Sequence, residues 1–236
     1  MMRLSDLYTM LSYGELSNLA ISNEGSGEIT EAGKPRIVLY ANEALTRLYS
    51  EFLIREKEVM ILMYRDITFY HLITRFAVVA GEEAALESRR YLLDLPEEPF
   101  EDDVIKILTV YNSHAKRLPL NDAEQAGSVF TPQPTILQVP FPVEGMALTV
   151  SYQANHSKLE VDRPGQRIDL PDALNGAFTA FIAYKVFSHM NTAESTAKAN
   201  EHLEIYQAIV QQTKDMDLVN ASVSGTTHVF EKRGFV

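Results

Sequence analysis

The chain has 236 residues, 46% hydrophobic and 22% charged, with no cysteine and a formal net charge of −11. These are the proportions of an ordinary globular protein that buries roughly 70% of its unfolded surface. The lack of cysteine excludes disulfide frameworks, thiolate zinc sites and cysteine nucleophiles. The acidic balance excludes a protein that grips duplex phosphates, because Lys and Arg gather only in small groups: Lys34/Arg36, Arg89/Arg90, Lys116/Arg117 and Lys232/Arg233. It remains compatible with a passage through which DNA slides. Residues 1–12 lack the apolar core of a signal peptide, and no window approaches the ~20 apolar residues of a membrane span, so a cytoplasmic origin is expected.

Leu4, Leu7, Tyr8 and Leu11 share one helical face, and Leu16, Leu19 and Ala20 are expected to extend a short turn beyond Gly14. Residues 22–34 are polar and Gly-rich and read as a loop. Pro35 sits where a first helical turn tolerates it, and Val38, Ala41, Leu45, Leu48, Tyr49 and Phe52 recur three or four apart, as an amphipathic helix requires. The apolar run 59–64 then reads as a buried strand, with 66–76 either pairing to it or irregular. Residues 82–90 read as a short helix or loop, and 95–103, with its prolines and acids, as a connector. The β-branched stretch 104–111 predicts a strand, with 117–120 returning after a turn. The clearest hairpin is expected between 135–141 and 146–152, where Leu148, Val150 and Tyr152 alternate with Ala147, Thr149 and Ser151. Pro140, Pro142 and Gly145 mark its turn, and the prolines argue that its first strand is at an edge or becomes irregular.

An amphipathic helical pair follows. The first helix opens at Leu170-Pro171-Asp172 and carries Phe178, Phe181, Tyr184 and Phe187. The second begins near 191–194 and offers Leu203, Tyr206, Ile209 and Val210 as the matching face, so the aromatic stripe reads as core. Its polar face, with Glu194, Lys198, Glu201, His202 and Gln212, is either solvated or an inter-subunit contact. The order helices, strands, helices predicts an α+β protein, a helical bundle with an inserted antiparallel β domain and an extended C-terminal tail. The expected divisions are 1–57 and 169–217 for the bundle, 58–168 for the β-rich insertion and 218–236 for the tail.

No residue set has the spacing of a catalytic or metal site. The histidines at 71, 114, 156, 189, 202 and 228 include no His-x-x-x-His pair and read as structural. Glu101-Asp102-Asp103 and Asp215/Asp217 lack the glycine and terminal Glu of a calcium loop and read as solvated loop acids. Gly25-Ser26-Gly27 has no Gly-Lys-Ser/Thr after it, no Gly-x-Ser-x-Gly elbow occurs, and Ser195 reads as a surface position. No cofactor and no metal are expected. The tail differs from these. Thr226 to Phe230, with His228, has β character, and Lys232 and Arg233 adjoin Phe235 and Val236. Exposed aromatics beside cations suit strand addition or an anchor on another protein.

Three segments carry a family likeness: residues 11–19 (LSYGELSNL), the β run 130–132 (FTP) through 139–143 (VPFPV), and 184–190 (YKVFSHM) through Ala193-Glu194 and His202. With the element order, they resemble the head-to-tail adaptor proteins of tailed bacteriophages (head-tail connectors), the class that includes podophage tail tubular protein A. The β insertion departs in size from the podophage pattern. The resemblance implies a non-enzymatic virion protein of the neck, assembled in the host cytoplasm as a ring, typically a dodecamer, beneath the portal. The ring would seal the DNA exit channel, let DNA pass without specific binding, and offer its lower face to a tail tube or nozzle protein. The portal-binding segment carries over to Thr226, His228, Phe230, Lys232, Arg233, Phe235 and Val236, and Glu194, Lys198, Glu201 and His202 are the candidate inter-subunit residues. The alternatives are a tail-completion or tail-terminator protein, which binds a tube rather than a portal, and a small hydrolase acting on carbohydrate or nucleotide through acids of the β insertion.

Overall fold

The computed structural model describes residues 2–17, 29–79, 89–94, 99–190 and 192–219. Apart from Leu218 and Val219, the tail with its seven candidate portal contacts lies outside the described residues, as do Leu19, Ala20 and Gly25–Gly27. The protein is α+β, and it divides into two compact units, one from Met1–Ile54 with His156–Ala221 and one from Arg55–Asn155.

In the first unit, a short strand β1 (Met2–Arg3) leads directly into α1 (Leu4–Tyr13). The Asp6 carboxylate accepts the Arg3 N–H at 2.9 Å, satisfying a donor that the helix start leaves open. Strand β1 pairs antiparallel with β10 (Arg167–Ile168), which ties the first helix to the later part of the unit. Leu4, Leu7, Tyr8 and Leu11 are buried, as their spacing predicts, and Leu16 is buried in the turn that follows. Helix α2 (Lys34–Glu51) has Pro35 in its first turn, where the missing N–H is no loss. All six apolar positions expected on its inner face are buried, and Ile37, Tyr40 and Ala44 widen the stripe.

A 3₁₀ turn over Asp172–Leu174 precedes α3 (Asn175–Ser188). Helix α3 is buried along nearly its whole length and packs against α1, α2 and the long α4 (Ala193–Asp215). A helix apolar on most sides needs cover on most sides. Helix α4 begins with a reciprocal cap: the Thr192 hydroxyl accepts the Ser195 N–H and the Ser195 hydroxyl accepts the Thr192 N–H, both at 3.1 Å. This corrects the surface reading of Ser195, which is 6% exposed because its side chain closes the cap. Tyr206 and Val210 of α4 are buried, while Leu203 and Ile209 are partly so.

The second unit contains a mixed five-stranded sheet and an antiparallel three-stranded sheet. The first has the order β4 (Ala77–Val79), β5 (Leu92–Asp94), β2 (Glu56–Leu62), β9 (Ala147–Ala154), β6 (Val104–Asn112), with only β4 and β5 parallel. The second has the order β3 (Phe69–His71), β8 (Ile136–Gln138), β7 (Phe130–Gln133). One apolar core draws on both, with Ile61, Leu92, Val110, Leu148 and Val150 from the larger sheet and Tyr70 and Leu137 from the smaller.

The expected 135–152 hairpin does not form. Strand β8 pairs with β3 and β7, and β9 pairs with β2 and β6. Neither Pro140 nor Pro142 has an N–H for a ladder, and Gly145, at φ 74°, turns the chain into the other sheet, its N–H donating to Met63 O at 3.0 Å. Both prolines fall beyond the end of β8, which is a central strand and not an edge, and the expected strand becomes irregular from Val139 onward. Pro132 instead lies in β7, which is an edge. Residues 66–76 likewise pair elsewhere than expected, since β3 joins β8 and not β2.

Candidate assembly surface

Helix α4 positions the proposed inter-subunit residues. Glu194, Lys198 and Glu201 are exposed along one side, with Lys198 Nζ 3.7 Å from Glu194 Oε1 and over the Phe187 ring at 5.6 Å. His202 departs from the expected polar face. Its ring stacks on Phe187 with centroids 5.4 Å apart and planes 10° from parallel, and burial lowers its pKa. Its Nδ1 is buried and has no hydrogen-bond partner among the described residues.

A second feature of this unit runs along the outer side of α2. An open groove of about 610 Å³ is lined by Leu39, Asn42, Glu43, Thr46, Arg47, Ser50 and Phe181. Leu39 is 63% exposed at its rim. The Arg47 guanidinium lies over the rings of Phe181 (5.7 Å) and Tyr206 (5.2 Å). Glu43 is already paired, 2.5 Å from Lys185 Nζ. At the end of α2, Glu51 accepts the Tyr206 phenol at 3.3 Å and pairs with Lys214 at 2.8 Å. Burial, with the Glu51 charge second, pushes the Tyr206 phenol up to about 12, so this hydroxyl stays a donor throughout the physiological range. Phe178, Phe181 and Phe187 of the aromatic stripe are core, as their spacing predicts, while Tyr184 is only partly buried, and Phe181 also floors the groove. No spacing signal links Leu39 to Phe181, because the groove is formed from two helices distant in sequence.

His156 latches the segment entering this unit. Its Nε2 is 3.2 Å from both Asn42 O and Thr46 Oγ1, its Nδ1 is 3.0 Å from Ser157 O, and its ring meets Tyr49 edge-on. Asn42 adds a two-point bond to Leu159, donating to its O at 3.1 Å and accepting its N–H at 2.8 Å. Burial lowers the His156 pKa against the opposing pull of the two carbonyls. His156 and His202 both titrate below their unfolded value in the folded state, so the unfolded chain binds more protons as pH falls past about 6.5. Stability is therefore full above that value and declines below it. The urea midpoint is expected to be lower at pH 5.5 than at pH 7.5, and a His156→Asn/His202→Phe variant is expected to flatten the dependence. A wild-type midpoint independent of pH over this range contradicts the assignment.

The β-rich unit holds a buried charge that sequence reasoning placed in solvent. Lys57 and Asp103 are 6% and 8% exposed and form an ion pair, with Nζ 2.8 Å from Oδ2. Glu101 lies 3.5 Å from the same ammonium, and the Tyr152 phenol donates to Asp103 Oδ1 at 3.1 Å. Asp102 accepts from the Thr74 backbone and hydroxyl at 2.5 and 2.6 Å. Asp103 is thus a buried structural partner and not the solvated loop acid expected, whereas Glu101 and Asp102 are exposed as expected. The missed signal was the strand period, which puts Lys57 on the same face as Val59 and Ile61. Among the described residues, no group of three or more His, Cys, Asp or Glu could hold a metal ion, and no helix is long and apolar enough to cross a membrane.

The Pro140-Phe141-Pro142-Val143 loop presents the most exposed large hydrophobic side chain among the described residues, Phe141 at 85%, with Val143 at 52%. The loop is held at its base. Val139 N–H donates to Thr68 O at 2.8 Å, Met146 N–H to Val143 O at 3.1 Å, and the Arg65 N–H to the Glu144 carboxylate at 2.5 Å. The chain matches no protein-family model, and no curated protein matches it.

Proposed function

We propose that this chain is a structural virion protein, a head-to-tail adaptor that forms a ring, typically of twelve copies, below the portal. The observation that carries this reading is the order of the units. Helices from before and after residues 55–155 fold into one unit, and the residues between them fold as a β-rich one, the arrangement that the adaptor resemblance implies. In this reading α1–α4 are the helical bundle, and the exposed side of α4 with Glu194, Lys198 and Glu201 meets the neighbouring copy. His202, stacked on Phe187, orients that contact from the rim.

The tail, through Thr226, His228, Phe230, Lys232, Arg233, Phe235 and Val236, docks on the portal and orders there, at the entropic cost of coupled folding. A net charge of −11 suits a ring that DNA passes through without being held. The role is mechanical: the ring closes the filled head and supplies the attachment surface for the tail tube or nozzle. Mixing the purified protein with its cognate portal and measuring the mass of the complex tests the reading. A ring on the portal supports it, and a free hexamer with no affinity for portal favours a tail terminator.

A further inference from the structure

We propose that neighbouring copies join head to tail through a knob and a groove: Phe141 of one copy seats over Leu39 and Phe181 of the next, beside Arg47. This rests on the ring reading and names the contact that would build the ring. The knob is preformed. Prolines on both sides of Phe141 fix their own φ, and the hydrogen bonds at Val139, Met146 and Arg65 hold the loop base, so little conformational freedom remains to be lost on docking. An aromatic ring 85% exposed on such a frame is displayed surface, not a frayed core residue.

The groove offers what such a ring binds. Its rim is the exposed Leu39, its floor is aromatic, and its cation is Arg47, an exposed guanidinium already stacked on Phe181 and Tyr206. Aromatic residues and Arg are the types enriched at the centres of interfaces, where the planar cation accepts further rings on its face. Charge selects the same occupant. Among the described residues Arg47 has no carboxylate partner, since Glu43 and Glu51 are committed to Lys185 and Lys214. The knob brings Glu144, an exposed carboxylate three positions from Phe141. Knob and groove are different patches, so the contact is heterologous, the type that closes into a ring when its rotation permits.

The chain has no cysteine, so two introduced thiols report the contact without background. Leu39→Cys chains and Phe141→Cys chains, mixed with wild-type chains whose intact contacts carry the assembly, assembled on portal and oxidised with diamide, are expected to give a covalent pair that neither variant gives alone. Phe141→Ser is expected to weaken ring assembly at least tenfold while leaving the melting temperature unchanged, since the ring packs against little in its own chain. Rings that form without the cross-link, or that assemble equally well with Phe141→Ser, overturn the contact and leave the ring reading standing. A cross-link from Phe141→Cys to portal in place of Leu39→Cys also overturns it, in favour of portal as the occupant. Absence of any wild-type ring on portal removes the ring reading and this contact together.

Discussion

Lys57→Ala is expected to destabilise the β-rich unit by about 3–5 kcal/mol, because it leaves the Asp103 carboxylate buried without its counter-ion. The pair sits where β2 and the residues before β6 meet, and each member is less than one-tenth exposed. Glu101 does not offset the loss, being a second acid beside the same ammonium. Replacing both partners with apolar residues, Lys57→Met with Asp103→Leu, is expected to recover most of the loss, since the desolvation cost of both charges disappears together. The double variant also removes the acceptor that Asp103 offers the Tyr152 phenol. With no tryptophan in the chain, near-ultraviolet circular dichroism of the tyrosines is the suitable probe of urea unfolding. A loss for Lys57→Ala below 1 kcal/mol would show that the charge is solvated.

Deleting residues 226–236 is expected to abolish portal binding while leaving the helical unit folded. The segment removes two aromatic anchors, Phe230 and Phe235, with the cations Lys232 and Arg233. If each anchor contributes about 2 kcal/mol, at 1.4 kcal/mol per tenfold the affinity falls on the order of a thousandfold. The fold should be indifferent, because the described core of the helical unit is complete by Val210 and Thr213 of α4. Binding of truncated and full chains to immobilised portal, with thermal unfolding of each, separates the two effects. Portal binding by the truncation within a fewfold of the full chain would remove the tail from the mechanism.

The helices were legible in the sequence because a single helix writes its buried face locally. Leu4, Leu7, Tyr8 and Leu11, and Val38 through Phe52, needed no knowledge of what covers them. Strand pairing was not legible in the same way. The period of 2 marks Leu148, Val150 and Tyr152 as facing a core but does not name their neighbours, and proximity along the chain suggested β8 when the partners are β2 and β6. The prolines and Gly145 that were read as a hairpin turn are the device that sends the chain to a second sheet. The groove was invisible for a related reason. Leu39 and Arg47 fall outside the apolar stripe of α2, and only the packing of α3 brings Phe181 beneath them. Ser195 and Asp103 were misplaced because short polar side chains look solvated until a cap or a counter-ion is in view.

The ring itself is tested most directly by the native mass of the protein, alone and after mixing with cognate portal. A portal-bound complex carrying one ring of this chain is expected, with twelve copies as the proposed adaptor role implies. A chain that remains unbound at micromolar portal, or that forms a free hexamer and caps a tail tube instead, contradicts it.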